Sequence, residues 1–516
     1  ESMCSAREFN LVDEPWIRVR FLSGEIKEMS LLDVFRNASI IAALVNDLPT
    51  QDFAILRVLL AILRRSVMQG LGGDEDPVEV WDELWNADDL PIPQIESYVA
   101  TWRNRFDLFD ETVPFMQVAG MRTDRNETSA INKIVVDLPD REQFFTMRFR
   151  SGAESLSYAE AARWLIHVHA FDTAGIKSGV VGDPAVKRGK SYSTGYPGWA
   201  GCLGGTYIQG DSLRETLLLN LVLWDSSANE DMLPPPDDLP VWEQPPKTPS
   251  SDDREPHGYA DILTWQSRRI LLLVENNRVN RVILTNGDRL EPSNKQSLEP
   301  MTAWKRSKNQ EKKLGIIPVF MPITYQSDKA FWRSLPSVLP ALSSENTDVV
   351  PPGVIDWVAY LMKSHAFPKH RSLRLHAAGV VYGTQNSVAS EVIDDILVAN
   401  SFLLSSEGRE ANSLVREILS RTDNAIRSLG LFAKNLRIAA GDKDRADSAK
   451  NQPQRDAYHE LGGLFRFWLA GITEDTNLHE AEIAWNGRAR LILWHIADEL
   501  IRQTDPMAVA GHKGPG

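Results

Sequence analysis

Apolar residues recur along this chain at two periods, and the switches between them divide it into segments. Ile17, Val19 and Phe21 alternate ahead of Ser23-Gly24, which predicts a hairpin over residues 16–29. From 52 to 68 the spacing becomes helical, with Ile55, Val58, Leu59 and Ile62 on one stripe. Residues 95–109 and 157–170 are further helical candidates. Between 116 and 157 the pattern is irregular and polar, and reads as loop. Strand patterns return at 270–274 and 279–284, joined across Glu275-Asn276-Asn277-Arg278, and 354–362 reads as a helix.

Beyond Asn386 the helical period dominates. Val388, Val392, Ile396 and Ala399 form one apolar stripe, and Leu414, Ile418, Ala425, Leu429 and Leu436 a longer one. Leu461, Phe465, Trp468 and Ile472 form a third, and Ala481, Trp485, Ala489, Ile492, Ile496 and Leu500 a fourth. Four such stripes with polar links, among them 441–453, predict an antiparallel four-helix bundle. The expected fold class is α+β: a large mixed N-terminal globular domain over 1–380, then the C-terminal bundle over 381–516. The run Tyr382-Gly383-Thr384-Gln385-Asn386-Ser387 would link an apolar segment to the first bundle helix. Its amides offer donors and acceptors without charge, which suits insertion beside stacked bases, while a helix-capping turn is the plain alternative.

At 516 residues the chain is long enough for two or three domains, and 43% hydrophobic residues can build their cores. A formal charge of -14 argues against a protein that coats nucleic acid by bulk electrostatics, so any such contact must come from local clusters. Three clusters stand out: Lys177, Lys187, Arg188 and Lys190; Lys305, Arg306, Lys308, Lys312 and Lys313; and Arg148 with Arg150. Each alone reads as solvated surface, whereas three basic loops in one acidic chain favour contacts to phosphate. Two cysteines, Cys4 and Cys202, supply neither a disulfide framework nor a cysteine-rich zinc site. With no signal-peptide pattern and no apolar run of about 18 residues, a cytoplasmic protein that does not cross a membrane is expected. Segment 172–210 is rich in glycine, and 234–256, heavy in Pro, Asp and Ser, is expected to be an exposed, poorly ordered insertion.

No catalytic centre emerges. Gly189-Lys190-Ser191 resembles the end of a phosphate-binding P-loop, yet six residues separate Gly182 from Gly189 where that motif needs four. Gly198, Gly201, Gly204 and Gly205 miss the dinucleotide fingerprint. His167 and His169 lie about 200° apart on one predicted helix and cannot share a metal. His365, His370 and His376 lack a ligand pattern of known spacing, so no metal and no cofactor are expected; a metal-dependent nuclease built around them is the alternative from another class.

Landmarks along nearly the whole length point to one family. They are, in order, Asn10-Leu11-Val12-Asp13-Glu14-Pro15-Trp16-Ile17, then Pro114-Phe115-Met116-Gln117, then Leu203-Gly204-Gly205-Thr206 with Leu213-Arg214-Glu215-Thr216-Leu217-Leu218-Leu219-Asn220, and the glutamine-bearing run. The sequence resembles CasA, the large subunit of the type I-E CRISPR surveillance complex Cascade. That resemblance implies a recognition subunit, not an enzyme, which reads the PAM of double-stranded DNA through the minor groove and begins strand separation for guide-RNA pairing. It also implies partners: the other Cascade subunits with their CRISPR guide RNA, and a recruited helicase-nuclease. Thr384, Gln385 and Asn386 resemble a glutamine wedge and Lys295 a lysine finger, while Gly175, Ile176, Lys177, Ser178 and Gly179 are similar to a glycine-rich loop that approaches the duplex. Lys305, Arg306 and Lys308 are candidates for backbone contacts. The loop 146–157, with Arg148 and Arg150, resembles one that docks on the complex near the 5′ end of the guide.

Overall fold

Strands β1 (Ile17–Phe21) and β2 (Ile26–Met29) form the N-terminal hairpin, and β3 (Ile41–Leu44) pairs with the other edge of β1. These strands belong to a computed structural model that describes residues 8–72, 75–136, 154–192, 195–223, 237–340 and 348–504. The described residues of Glu1–Tyr325, Thr347–Phe367 and His376–Asp395 make one compact unit; those of Gln326–Asn346, Pro368–Leu375 and Ile396–Gly516 make a second. Residues 381–395, expected in the C-terminal domain, therefore fold with the first unit, and 326–340 fold with the second.

In the first unit, helix α1 (Pro49–Met68) is buried on nearly every side, which matches its run of apolar residues. Its three arginines are each paired with a buried carboxylate. Arg57 makes a two-pronged contact with Glu299, both bonds 2.8 Å, and Glu299 also accepts from the Trp199 indole at 2.7 Å. Helix α2 (Ile92–Trp102) stops short of the expected Phe109, giving way to a 3-10 turn over Arg103–Arg105. Helix α3 (Tyr158–Phe171) begins at Ser157 with a capping box, in which the Ser157 hydroxyl accepts from the Glu160 amide and the Glu160 carboxylate accepts from the Ser157 amide.

The segment expected as a poorly ordered insertion is instead anchored over its described part, 237–256. Trp242 is 1% exposed and donates to Tyr98, and Glu243 pairs with Arg65 at 2.7 Å. Burial of one tryptophan and a paired carboxylate outweighs the turn-forming composition around them. Strands β4 (Lys177–Ser178) and β5 (Lys190–Ser191) form a small hairpin. Farther along, β6 (Gly205–Gln209) is buried, and β7 (Arg268–Glu275) pairs with β8 (Arg278–Asn286) through Asn276 and Asn277, both at positive φ as a tight hairpin turn requires. Trp199, Leu203, Ile262, Trp265, Leu290, Trp304 and Phe320 form one core cluster. Helix α4 (Gly353–Lys363) lies close to its expected bounds.

The expected first bundle helix is a strand. β9 (Ser372–Tyr382) and β10 (Ala389–Asn400) are neighbours in one sheet with β6, so Gly383–Val388 is a hairpin connection and not a helix cap. Val388 and Ile396, expected to face a bundle core, are 37% and 38% exposed, while Leu397 and Ala399 are buried with the period of a strand. Val392, Ile393, Ile396 and Val398 are β-branched, and that chemistry prevails over a spacing both structures share. Among its described residues the second unit has three long helices, α5 (Arg409–Ala439), α6 (Asn451–Ala470) and α7 (Leu478–Arg502), with short helical turns at Phe331–Ser334 and Leu335–Val338. Its aromatic core sets Phe465 against Trp332, Trp468 and Trp485, and the Trp485 indole donates to Thr422 at 3.0 Å. Among the described residues no helix is long and apolar enough to cross a membrane.

Candidate nucleic-acid interface

The glycine-rich loop leaves α3 at Asp172. Gly175 sits at φ 148, Ile176 projects with 59% exposure, and Ser178 is exposed. Gly179 is fixed by close approach: a Cβ there would lie 2.5 Å from Val186 Cγ1 and 2.8 Å from the Gly189 carbonyl carbon. Its amide donates to the Gly189 carbonyl at 2.9 Å, which closes the β4–β5 hairpin. At the tip, Lys187 and Lys190 exchange main-chain hydrogen bonds around Arg188 and Gly189, at φ 53 and 71. Lys187, Arg188 and Lys190 are all exposed, and none makes an ion pair among the described residues.

Thr384–Asn386 is a short 3-10 turn at the end of β9, with Gln385 at φ 56 and Asn386 at φ 54. Thr384 and Gln385 are exposed. The structure brings this turn to the glycine-rich loop: the Ala174 amide donates to the Asn386 carbonyl at 2.8 Å, and the Asn386 side-chain amide donates to the Gly195 carbonyl at 3.2 Å. Below them the Tyr382 hydroxyl donates to the Phe171 carbonyl at 2.7 Å. A cavity of about 500 Å³ opens beside the two loops, with Asn132, Lys133, Lys177, Leu284 and Ser387 among its lining.

Lys177 is not an exposed cation of this loop. Its side chain is 11% exposed, and its ammonium lies 2.7 Å from Asp172, whose same oxygen is 2.5 Å from Arg268. Burial drives Lys177 below the usual lysine range against the pull of Asp172. Burial alone would raise Asp172, but Lys177 and Arg268 outweigh it and hold that carboxyl below the usual range.

Lys295 is likewise not a free finger. It is 8% exposed, its ammonium 2.9 Å from the Glu255 carboxylate and 3.2 Å from the Ser293 carbonyl. Of the third basic run, Lys305 and Lys308 are exposed, but Arg306 is held by Glu311 at 2.6 Å and Asp348 at 3.6 Å. Arg148 and Arg150 lie outside the described residues.

Among the described residues no group of three or more His, Cys, Asp and Glu side chains is placed to hold a metal ion. His376 contacts Asp394 at 2.5 Å and stacks on Tyr207, while His370 pairs with Glu474. His167 and His169 are buried and bonded to Thr50 and the Met116 carbonyl, and burial pushes them down to about 3 and about 4. The nuclease alternative finds no support in this arrangement.

A family model described as CRISPR-associated protein Cse1 matches residues 10–496. The chain belongs to the Cse1 family. It is similar to the crystal structure of Thermobifida fusca Cse1, with a TM-score of 0.88 and 40% identity, covering 96% of this chain and 93% of that one. It is 28% identical over 351 residues to the CRISPR-associated protein CasA/Cse1 of Thermus thermophilus, a match spanning 66% of this chain and 61% of that relative. A chain of a structure named "CRISPR RNA-guided surveillance complex" shares the fold at a TM-score of 0.66 and 19% identity, covering 96% of this chain and 98% of that one.

Within this Cse1-family chain, sequence reasoning missed the residues that assemble the two loops. Asp172 and Arg268 are distant in sequence and match no motif; only the fold makes them partners. The Arg188-Gly189 turn did leave a trace, a glycine in a short polar run where a two-residue hairpin needs positive φ.

Proposed function

We propose that this chain is the large subunit of a type I-E RNA-guided surveillance complex, working in the cytoplasm with the other Cascade subunits and their guide RNA. It reads the PAM of double-stranded DNA, starts strand separation and recruits a helicase-nuclease, without chemistry of its own. The observation that carries this reading is the docking of the exposed Gln385 turn onto the glycine-rich loop through Ala174 and Asn386, which gives one surface for groove approach and base-pair parting. The exposed cations Lys187, Arg188 and Lys190 stand on the same hairpin as that loop, where they can contact phosphates without reading sequence. Minor-groove edges carry a degenerate code, so such a reader tolerates several PAMs and leaves sequence specificity to guide pairing.

The deciding experiment compares the assembled complex with and without this chain on duplexes that do or do not bear a PAM. PAM-selective binding and opening should depend on the chain. Equal binding and opening in its absence would refute the reading.

A further inference from the structure

We propose that Asp172, Arg268 and Lys177 form a positioning network that holds the glycine-rich loop and the glutamine turn in one register, and that Lys177 acts through this network without touching DNA. The inference rests on the reading of these loops as the PAM-binding surface.

The carboxylate of Asp172 sits at the junction of three segments. One oxygen takes Arg268 Nε at 2.5 Å and Lys177 Nζ at 2.7 Å, which ties the start of the loop to its far side. Arg268 also donates to the carbonyls of Asp172, Thr173 and Tyr196, and the Asp172 carbonyl accepts from the Gly198 amide at 2.8 Å. Residues 172–177 and 196–198 are therefore clamped to each other. The glutamine turn docks on that clamp through Asn386, which reaches Ala174 and Gly195 by one backbone and one side-chain hydrogen bond. Both of its docking partners lie within three residues of a group the carboxylate network holds.

For Lys177 to reach a phosphate, its ammonium would have to leave a buried carboxylate and carry its charge past the loop that covers it. Asp172 keeps Arg268 when Lys177 is removed, so a Lys177→Met variant retains a compensated buried pair and an apolar stem in the same space. That makes it a cleaner probe than any substitution of Asp172.

The test uses Lys177→Met in the reconstituted complex, with two readouts. Hydrogen exchange at the Ala174 amide, which is bonded to Asn386, should accelerate about tenfold or more as the turn undocks. Guide-RNA pairing on intact PAM duplex should slow about tenfold while pairing on DNA already opened beside the PAM proceeds at the wild-type rate, with the salt slope of duplex binding unchanged. A slope shallower by about 0.9 would make Lys177 a phosphate contact and overturn the proposal. So would unchanged exchange and pairing, or equal slowing on both DNA forms. If the wild-type complex does not distinguish PAM from non-PAM duplex, the functional reading fails, and with it the role of the network in opening DNA.

Discussion

The amide of Ala174 donates to the main-chain carbonyl of Asn386 across 2.8 Å, so the loop leaving α3 and the turn ending β9 meet backbone to backbone. Neither side chain specifies that bond. What specifies it is the path of each main chain, set for the turn by left-handed Gln385 and Asn386 and for the loop by the buried Asp172 cluster. Mutations can thus strip the turn of its side-chain amides while leaving this main-chain bond in place, at the loss of the Asn386 side-chain bond to Gly195.

Replacing Gln385 and Asn386 with glycine, which keeps positive φ without strain, should spare much of the initial duplex binding and suppress opening. If the amides help meet an unstacking cost of a few kcal/mol per step, DNA bubbled next to the PAM should restore guide pairing. A fluorescent base beside the PAM follows the opening. Equal impairment on intact and bubbled DNA would make the turn a binding or folding element.

The cationic hairpin tip should govern salt dependence. Lys187→Ala, Arg188→Asn and Lys190→Ala together remove three charges while Asn tolerates the left-handed position of residue 188. Affinity for PAM and non-PAM duplexes should fall together, and the log–log salt slope should become shallower by up to about 2.7. Substituting Lys305 and Lys308 should act in the same direction, whereas Arg306, held by Glu311, should contribute little. Loss confined to PAM-bearing DNA would show base reading by the tip.

Lys295 must leave Glu255 to enter a groove. Lys295→Ala should weaken PAM-duplex binding by about 1–3 kcal/mol, the range of one groove contact, and Glu255→Gln should strengthen it by loosening the lysine. Titration at fixed salt in the assembled complex measures both. If neither variant changes affinity, Lys295 is a structural lysine.

Burial raises the Asp52 carboxyl to about 6, although its bonds from Asn46 pull the other way. A group whose folded value is raised gives stability that is complete below its unfolded value near 4 and is lost as pH climbs through 6. Asp52→Asn keeps an oxygen for Asn46. It should flatten the pH dependence between about 4 and 6 and stabilise the first unit at neutral pH by about 1–3 kcal/mol. Thermal unfolding across that range checks it; a variant as pH-sensitive as the parent would contradict the assignment.

Local pattern was enough for much of the chain. The β1–β2 and β7–β8 hairpins, α1, α3 and α4 follow from alternation, helical spacing and Gly or Asn at the turns, because each of these signals is carried by residues near in sequence. The order of short landmarks carried the family resemblance, and the composition showed that any phosphate contacts must come from local clusters. Segment 388–399 exposed the limit of periodicity: its spacing fits a helix and its β-branched residues a strand, and pairing with β9 decided between them. The fate of the basic residues lay further beyond reach. Lys177, Lys295 and Arg306 read like their exposed neighbours, yet tertiary contacts with Asp172, Glu255 and Glu311 took them out of solvent or into ion pairs, while Lys187, Arg188 and Lys190 were left exposed on a hairpin tip. Charge type is written in the sequence, but whether a charge is free to meet a ligand depends on which carboxylate the folded chain places within a few ångströms of it.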